Sequence, residues 1–324
     1  VRVAHWSILN GSGMHRVAES LAKAETALGL TSTLANPQDN TTWEPVANAD
    51  IHVVHTHFPP ELNHLLAKAK LVWVGHGTPD HIYQSTVEYA EQGAYGHSDP
   101  LMLMMHWLKN ADARVTFWER HKWIYDQMLS RGARKADLVP LGVDLAFWRD
   151  GSSAGHFAGE PALLTGENPH YIKWIYDLAT ALPTVAREHP KLMLHAIYQV
   201  RDHHCAFYPW SHAMGASFHC HISPGIFEKP WLRNAFQSTD FYIGLVRYGD
   251  LNHIALEANA AGTTTISYVG NPHSDYWVAE GDQRGIAREL VAILKGKREK
   301  RAKTSVPDIA DTARAMLGIY EGIL

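Results

Sequence analysis

The residues best placed to do chemistry stand where short apolar runs end. Val1 to Leu9 ends at Asn10-Gly11-Ser12-Gly13, Ile51 to Val54 at His55-Thr56-His57, Leu71 to Val74 at Gly75-His76-Gly77, and Ala162 to Thr165 at a Gly166 turn. A glycine turn that opens a helix lets backbone N–H groups approach an anion. Imidazoles exchange protons near neutral pH and hydrogen-bond to ligand hydroxyls. The chain holds 22 His and 11 Trp, side chains that suit a cleft for polar, ring-shaped ligands. A metal chemistry competes with this reading. His52, His55 and His57, then His203 and His204, then His219, Cys220 and His221 form clusters. Residues two apart on a strand share a face, so His55 with His57 and His219 with His221 could converge. Zinc needs three or four converging ligands, and none of these clusters reproduces a specific zinc pattern.

The apolar runs alternate with helical patterns, first from Met14 to Leu28. Strands are expected at Val1–Leu9, Ile51–Val54, Leu71–Val74, Val115–Trp118 and Leu138–Val139. After a flexible stretch holding Gly151, Ser152, Ser153 and Gly155, the pattern restarts. Strands follow at Ala162–Thr165, Leu192–Tyr198, His219–Ser223, Phe241–Val246 and Thr263–Tyr268. Helices are expected at His170–Glu188, Asn252–Ala261, Ile286–Leu294 and Ile309–Ile323. This alternation predicts parallel pairing with right-handed crossovers, and ligands beyond the carboxyl ends of the strands. The stretch from Thr78 to Asp99 reads as a long irregular segment over a cleft.

The chain has 324 residues, 46% hydrophobic and 19% charged, which fits two α/β domains with substantial cores. No apolar run approaches the roughly 20 residues that cross a bilayer. No secretory signal is visible, and two cysteines, Cys205 and Cys220, suit a reducing cytoplasm. A net charge of -4 gives no global drive toward nucleic acid. The basic run from Lys295 to Lys303 is a local exception that reads as a solvated face.

Five segments carry a resemblance. They are Gly11-Ser12-Gly13; Val72-Trp73-Val74-Gly75-His76-Gly77; Leu138-Val139-Pro140-Leu141-Gly142-Val143-Asp144; Gly166-Glu167-Asn168-Pro169-His170-Tyr171-Ile172-Lys173; and Tyr248-Gly249-Asp250-Leu251-Asn252-His253-Ile254-Ala255-Leu256-Glu257 with Ala261-Gly262-Thr263 behind it. In this order the chain resembles the retaining GT-B-fold glycosyltransferases of the glycogen-synthase-like, mannosyltransferase-like group, as a divergent and compact member of the kind found among bacteriophage enzymes.

The resemblance implies an α/β chain of two Rossmann-like lobes (the GT-B fold) with its active site in the inter-lobe cleft. Residues 1–145 would form an acceptor-side lobe and 146–290 a nucleotide-sugar lobe, with 291–324 a helical segment packing back across both. It implies a cytoplasmic, metal-independent enzyme that needs no cofactor. Such an enzyme moves a hexose or pentose from an NDP-sugar to a hydroxyl, by a front-face route in which the leaving phosphate helps take the acceptor proton. The acceptor is a glycan, a lipid-linked sugar, a small molecule or a hydroxylated DNA base. Residue by residue, Glu257 would accept bonds from two ribose hydroxyls. Lys173 and the helix start at Leu251, Asn252 and His253 would meet the diphosphate, with Gly11, Ser12 and Gly13 also on the donor side. His76 and Asp250 would lie near the transferred sugar, and His15, Arg16 and His57 on the acceptor side. Two family residues are replaced. An Arg before the Lys is Glu167, repulsive beside a diphosphate and better suited to a sugar hydroxyl, so Arg201 or Arg247 is expected to supply the charge. The first of two family glutamates aligns with Gly249. These losses motivate an alternative, a non-catalytic two-lobed nucleotide or sugar binder.

Overall fold

The computed structural model describes residues 1–7, 13–55, 63–66, 69–77, 100–151, 155–166, 175–198, 219–224, 227–247 and 252–324. Gly11, Ser12, His57, the Thr78 to Asp99 segment, Glu167, Lys173, Arg201, His203, His204, Asp250 and Leu251 lie outside them. The chain divides into two units, Val1–Asp144 with Pro307–Leu324, and Leu145–Val306.

The first unit contains β1 (Arg2–Trp6), α1 (Gly13–Ala27), β2 (Thr31–Ala35), β3 (Ile51–His55), α2 (Asn63–Leu66), β4 (Lys70–Gly75), α3 (Pro100–Asn110), β5 (Ala113–Thr116), α4 (Glu119–Met128) and β6 (Asp137–Leu138). Its described strands form one parallel sheet in the order β2-β1-β3-β4-β5-β6. Apart from buried His5, His52 and His55, the strand interiors are largely apolar on both faces because helices cover both. Val3, Ile51, Val53, Val72 and Val74 pack with Leu21 of α1 and with Met316 and Tyr320 near the C-terminus. The alternate residues Ala4, Trp6, Val54, Leu71 and Trp73 pack with Trp107 and Leu108 of α3 and Tyr125 of α4.

The second unit holds α5 (Leu145–Arg149), β7 (Ala162–Thr165), α6 (Ile175–Glu188), β8 (Met193–Tyr198), β9 (His219–Pro224), α7 (Lys229–Gln237), β10 (Phe241–Gly244), α8 (His253–Ala260), β11 (Thr264–Tyr268), β12 (Tyr276–Val278) and α9 (Gln283–Leu294). Its sheet is also parallel, ordered β12-β11-β10-β7-β8-β9. Leu178, Leu182 and Val185 of α6 and Ile286, Leu290 and Ile293 of α9 share a core with Leu194, Ile243 and Ile266 of the strands.

The last helix, α10 (Ile309–Glu321), belongs to the first unit. The Pro140-Leu141-Gly142-Val143 segment is tied to its start. Val143 N–H donates to Pro307 O at 3.1 Å, and Ile309 N–H donates to Val143 O at 3.0 Å. The Thr312 hydroxyl donates to Pro140 O at 2.8 Å and accepts from Gly142 N–H at 2.9 Å. Residues 140–143 are thus a fixed strap of the first unit. Among the described residues, no helix is long and apolar enough to cross a membrane.

Candidate functional site

In the second unit the polar residues gather where β10 ends and α8 begins. Asn252 caps α8: its backbone is extended and its side-chain oxygen accepts from Ala255 N–H at 3.3 Å. That bond satisfies one of the amides that a helix start leaves without a carbonyl. Two glycines make room for this helix start. A Cβ at Gly244 would lie 2.5 Å from Asn252 Nδ2, and one at Gly166 would lie 2.5 Å from Ile254 Cδ1. The Gly166 turn after β7 therefore runs against the first turn of α8.

Glu257 sits one turn further along α8 and is 1% exposed. The Nδ1 atom of His253, at i−4, lies 3.7 Å from its Oε1. A carboxylate buried this deeply in a helix of apolar neighbours (Ala255, Leu256, Ala258) is costly without compensating partners.

Arg247, offered by the sequence as a replacement cation, is already committed. Its Nε and Nη2 donate to Asp177 at 3.2 and 2.7 Å. Asp177 is wholly buried on the first turn of α6 and also accepts from the Tyr268 hydroxyl. Burial and the Asp177 carboxylate push the Tyr268 phenol up, so it stays a donor. Arg247 joins the end of β10 to α6 and β11, and Asp177 balances its charge.

The basic run is committed too. Lys295 pairs with Glu188 at 2.5 Å, Arg298 with Glu289 at 2.5 Å and Lys303 with Asp275 at 2.8 Å, while the Arg301 guanidinium lies 3.1 Å from the Trp277 ring centre. These contacts fasten 295–303 to its own unit.

In the first unit, Gly13 opens α1, and His15 and Arg16 lie half-buried on the first turn after it. His76 follows β4 at the same carboxyl edge of the sheet, also half-buried. It is not isolated. Its Nε2 is 2.9 Å from His55 Nδ1, His55 Nε2 is 3.1 Å from His5 Nδ1, and His5 Nε2 is 2.8 Å from Glu25 Oε2. Strand register explains the row. His5 pairs with Val53 and His55 with Val74, so each histidine stands two residues beyond its neighbour's partner, on one sheet face. Helices α1 and α10 cover that face and bring Glu25 and Tyr320. Ser32 donates to Glu25 Oε2 and the Tyr320 hydroxyl to Oε1, both at 2.7 Å.

His5, His55, Glu25 and Tyr320 are each at most 2% exposed. Burial opposes ionisation of Glu25, but the interactions with His5, Ser32 and Tyr320 outweigh it and hold the carboxyl below its ordinary range. Burial, with His76 and His5 beside it, keeps the His55 ring neutral. Burial and Glu25 together keep Tyr320 protonated.

His57, His203 and His204 lie outside the described residues, so of the histidine clusters the hydrogen bonds of His52 and His55 are the ones seen. His55 meets His5 and His76, whereas His52 faces the opposite side of β3, where its Nδ1 accepts from Trp6 Nε1 at 2.9 Å. Among the described residues no group of three or more His, Cys, Asp or Glu side chains could hold a metal ion. Sequence reasoning picked out His76 but not its connection to His5, Glu25 and Tyr320. The available signal was a histidine inside each apolar strand, since a buried polar ring demands a partner.

No protein-family model matches the sequence, and no curated protein matches it. Solved structures do. HepE of Anabaena in complex with UDP and glucose is 11% identical, with 98% of this chain and 95% of that chain covered at a TM-score of 0.64. Sucrose-phosphate synthase of Thermosynechococcus elongatus is 13% identical, covering 99% and 96% at 0.68. A glycosyltransferase of Rickettsia africae is 13% identical, covering 99% and 98% at 0.64. At these identities the likeness establishes the fold: α/β, with two Rossmann-like units of the GT-B type.

Proposed function

We propose that this chain is a glycosyltransferase that moves a sugar from a UDP-sugar to a hydroxyl acceptor with retention of anomeric configuration. The observation that carries the reading is the end-to-end likeness to HepE, which is seen in complex with UDP and glucose and in complex with UDP-glucose. The buried position of Glu257 behind a capped helix start supports it. The acceptor is a glycan, a lipid-linked sugar, a small molecule or a hydroxylated DNA base.

In this reading the Glu257 carboxylate accepts bonds from the two ribose hydroxyls, a pairing that carboxylate geometry suits. The amides at Leu251, Asn252 and His253 face the diphosphate with the positive end of the helix dipole. Gly11, Ser12, Gly13, Lys173 and Arg201 add to the donor grip, while Glu167 and Asp250 meet the sugar. Arg247 contributes by fixing the β10 end through Asp177. His76 lies beside the reacting sugar, with His15, Arg16 and His57 toward the acceptor. Breaking the sugar–phosphate bond leaves negative charge on the diphosphate. Cations and helix N–H groups oriented in advance stabilise that charge in the transition state. The reading assigns no step to a metal ion and places the protein in the cytoplasm.

The test is a thermal-shift comparison of UDP, GDP and ADP on native protein and on Glu257→Ala. Ligand binding to the folded state raises apparent stability by mass action. UDP is expected to stabilise the native protein most. Loss of hydrogen bonds to a charged group, about 1.5–3 kcal/mol each, should weaken UDP by tenfold or more in the variant. Equal UDP affinity in the two proteins overturns the placement at Glu257.

A further inference from the structure

We infer that Glu25, His5 and His55 form a buried proton relay whose outer end is His76, so that a proton accepted at His76 Nδ1 comes to rest as imidazolium charge on His5 beside Glu25. The three links measure 2.9, 3.1 and 2.8 Å and involve alternate ring nitrogens without a break. A path of this kind needs every ring to use both nitrogens, and His5 and His55 do so.

Glu25 sets the direction. Its oxygens face three donor groups, from Ser32, Tyr320 and His5, so it acts as an acceptor only. His5 then carries its proton on Nε2 and offers a lone pair at Nδ1 to His55 Nε2–H. His55 in turn offers Nδ1 to His76 Nε2–H. In this neutral row His76 bears its lone pair on Nδ1, the state of a base.

A proton arriving at His76 Nδ1 lets the Nε2 proton of His76 pass to His55 Nδ1, and the Nε2 proton of His55 pass to His5 Nδ1. All three rings then hold a proton on Nδ1. Only His5 also keeps its Nε2 proton, so the single positive charge sits 2.8 Å from the Glu25 carboxylate. Only N–H bonds are broken and formed inside the row, and one proton in gives one charge at its inner end. Opposite charges attract far more strongly in this dry interior than in water, which favours charge on His5 over charge on His76.

Among the described residues, the row is met by Glu25 from α1, Ser32 from β2, Tyr320 from α10 and the Phe117 ring, 5.6 Å from His76. His52 is turned to the other face of β3. Apolar side chains would cover the same strand face without desolvating three imidazoles and a carboxylate. The catalytic role of the row rests on the glycosyltransferase reading. There the proton is the acceptor hydroxyl's, lost as the new glycosidic C–O bond forms, while the diphosphate departs with the electron pair of the broken bond. The relay gives that proton a destination beyond the leaving phosphate. His76 is then the group that touches the reacting atoms, and Glu25, His5 and His55 act through it.

Nuclear magnetic resonance of the whole protein labelled with nitrogen-15 histidine tests the relay without any substrate. As pH is lowered, the doubly protonated signature is expected first at His5, with His76 moving from its Nε2–H to its Nδ1–H form while still neutral. In His55→Gln, whose side-chain amide cannot pass a proton along the row, the imidazolium should appear at His76 instead. Glu25→Gln should also return the charge to His76, which covers the case in which the His55 variant does not fold. Imidazolium forming at His76 in the native protein overturns the relay. So does a titration that neither substitution changes. If a UDP-sugar is turned over, Glu25→Gln should lower kcat by about 10²-fold and shift its pH profile, with KM changed little; an unchanged kcat and pH profile overturns the catalytic role. If no UDP-sugar is turned over, the glycosyltransferase reading falls and the titration still decides the relay.

Discussion

Two histidines on β3, three residues apart, are held neutral by burial on opposite sheet faces. His52 is 1% exposed, and desolvation pushes its pKa down to about 4. Its Nδ1 accepts the Trp6 indole N–H, a bond that protonation would break. The unfolded chain titrates this ring near 6.5 and so takes up its proton at higher pH than the folded protein does. Stability from His52 is therefore complete above about pH 6.5 and lost as pH falls toward 4, on the order of 3 kcal/mol in all. Glu25, whose folded pKa is depressed, adds a second loss at lower pH, because its stability is present only while the carboxylate is ionised. Urea unfolding at pH 7.5, 5.5 and 4.5 checks this; a constant unfolding free energy contradicts it. At this scale the sequence was half legible. Glu257 and His76 stood out because each ends or follows a recognisable segment. Glu25 and Tyr320 did not, because 295 residues separate them and only the fold brings their oxygens together.

Elements were legible where burial writes a pattern and obscure where it does not. The apolar runs at 51–54, 71–74 and 162–165 foretold β3, β4 and β7 because central parallel strands are covered on both faces. Strand β2 reads Thr-Ser-Thr-Leu-Ala and β12 has three residues; both lie at sheet edges, where one side needs no apolar cover. The Leu141-Gly142-Val143-Asp144 segment was legible as a special place, and the boundary between the two units falls directly after it. Its glycine serves close packing of backbone. A Cβ at Gly142 would lie 2.3 Å from Asp308 O and 2.7 Å from Ile309 N, atoms that no side-chain rotation can move aside. Gly142→Ala must push α10 away from the strap and strain the Thr312 bonds. The expected cost is about 1–3 kcal/mol, as for other overpacking substitutions, read as a lowered urea midpoint with an unchanged slope. Stability equal to the native protein's would show that the start of α10 can shift freely.

At the scale of the whole molecule, the two units differ in how the chain supplies them. The second is continuous, Leu145–Val306, and every strand and helix of its described core lies within that span. The first is discontinuous and takes its last helix from the other end of the chain. Helix α10 places Ala313, Met316, Ile319 and Tyr320 in the core beneath β1, β3, β4 and β5. Each large apolar side chain contributes on the order of 1.5–3 kcal/mol by burial, so losing three removes several kcal/mol. A domain's total stability is only about 5–15 kcal/mol. Removing α10 also strips Glu25 of the Tyr320 hydroxyl and opens the buried carboxylate. A fragment of residues 145–306 is therefore expected to unfold cooperatively on heating and to resist protease. A fragment of residues 1–144 should do neither until residues 307–324 are rejoined, for instance by a short linker from residue 144. Cooperative melting of 1–144 alone would mean that α10 is an accessory rather than part of the core, and the inner end of the histidine row would then need no support from the C-terminus.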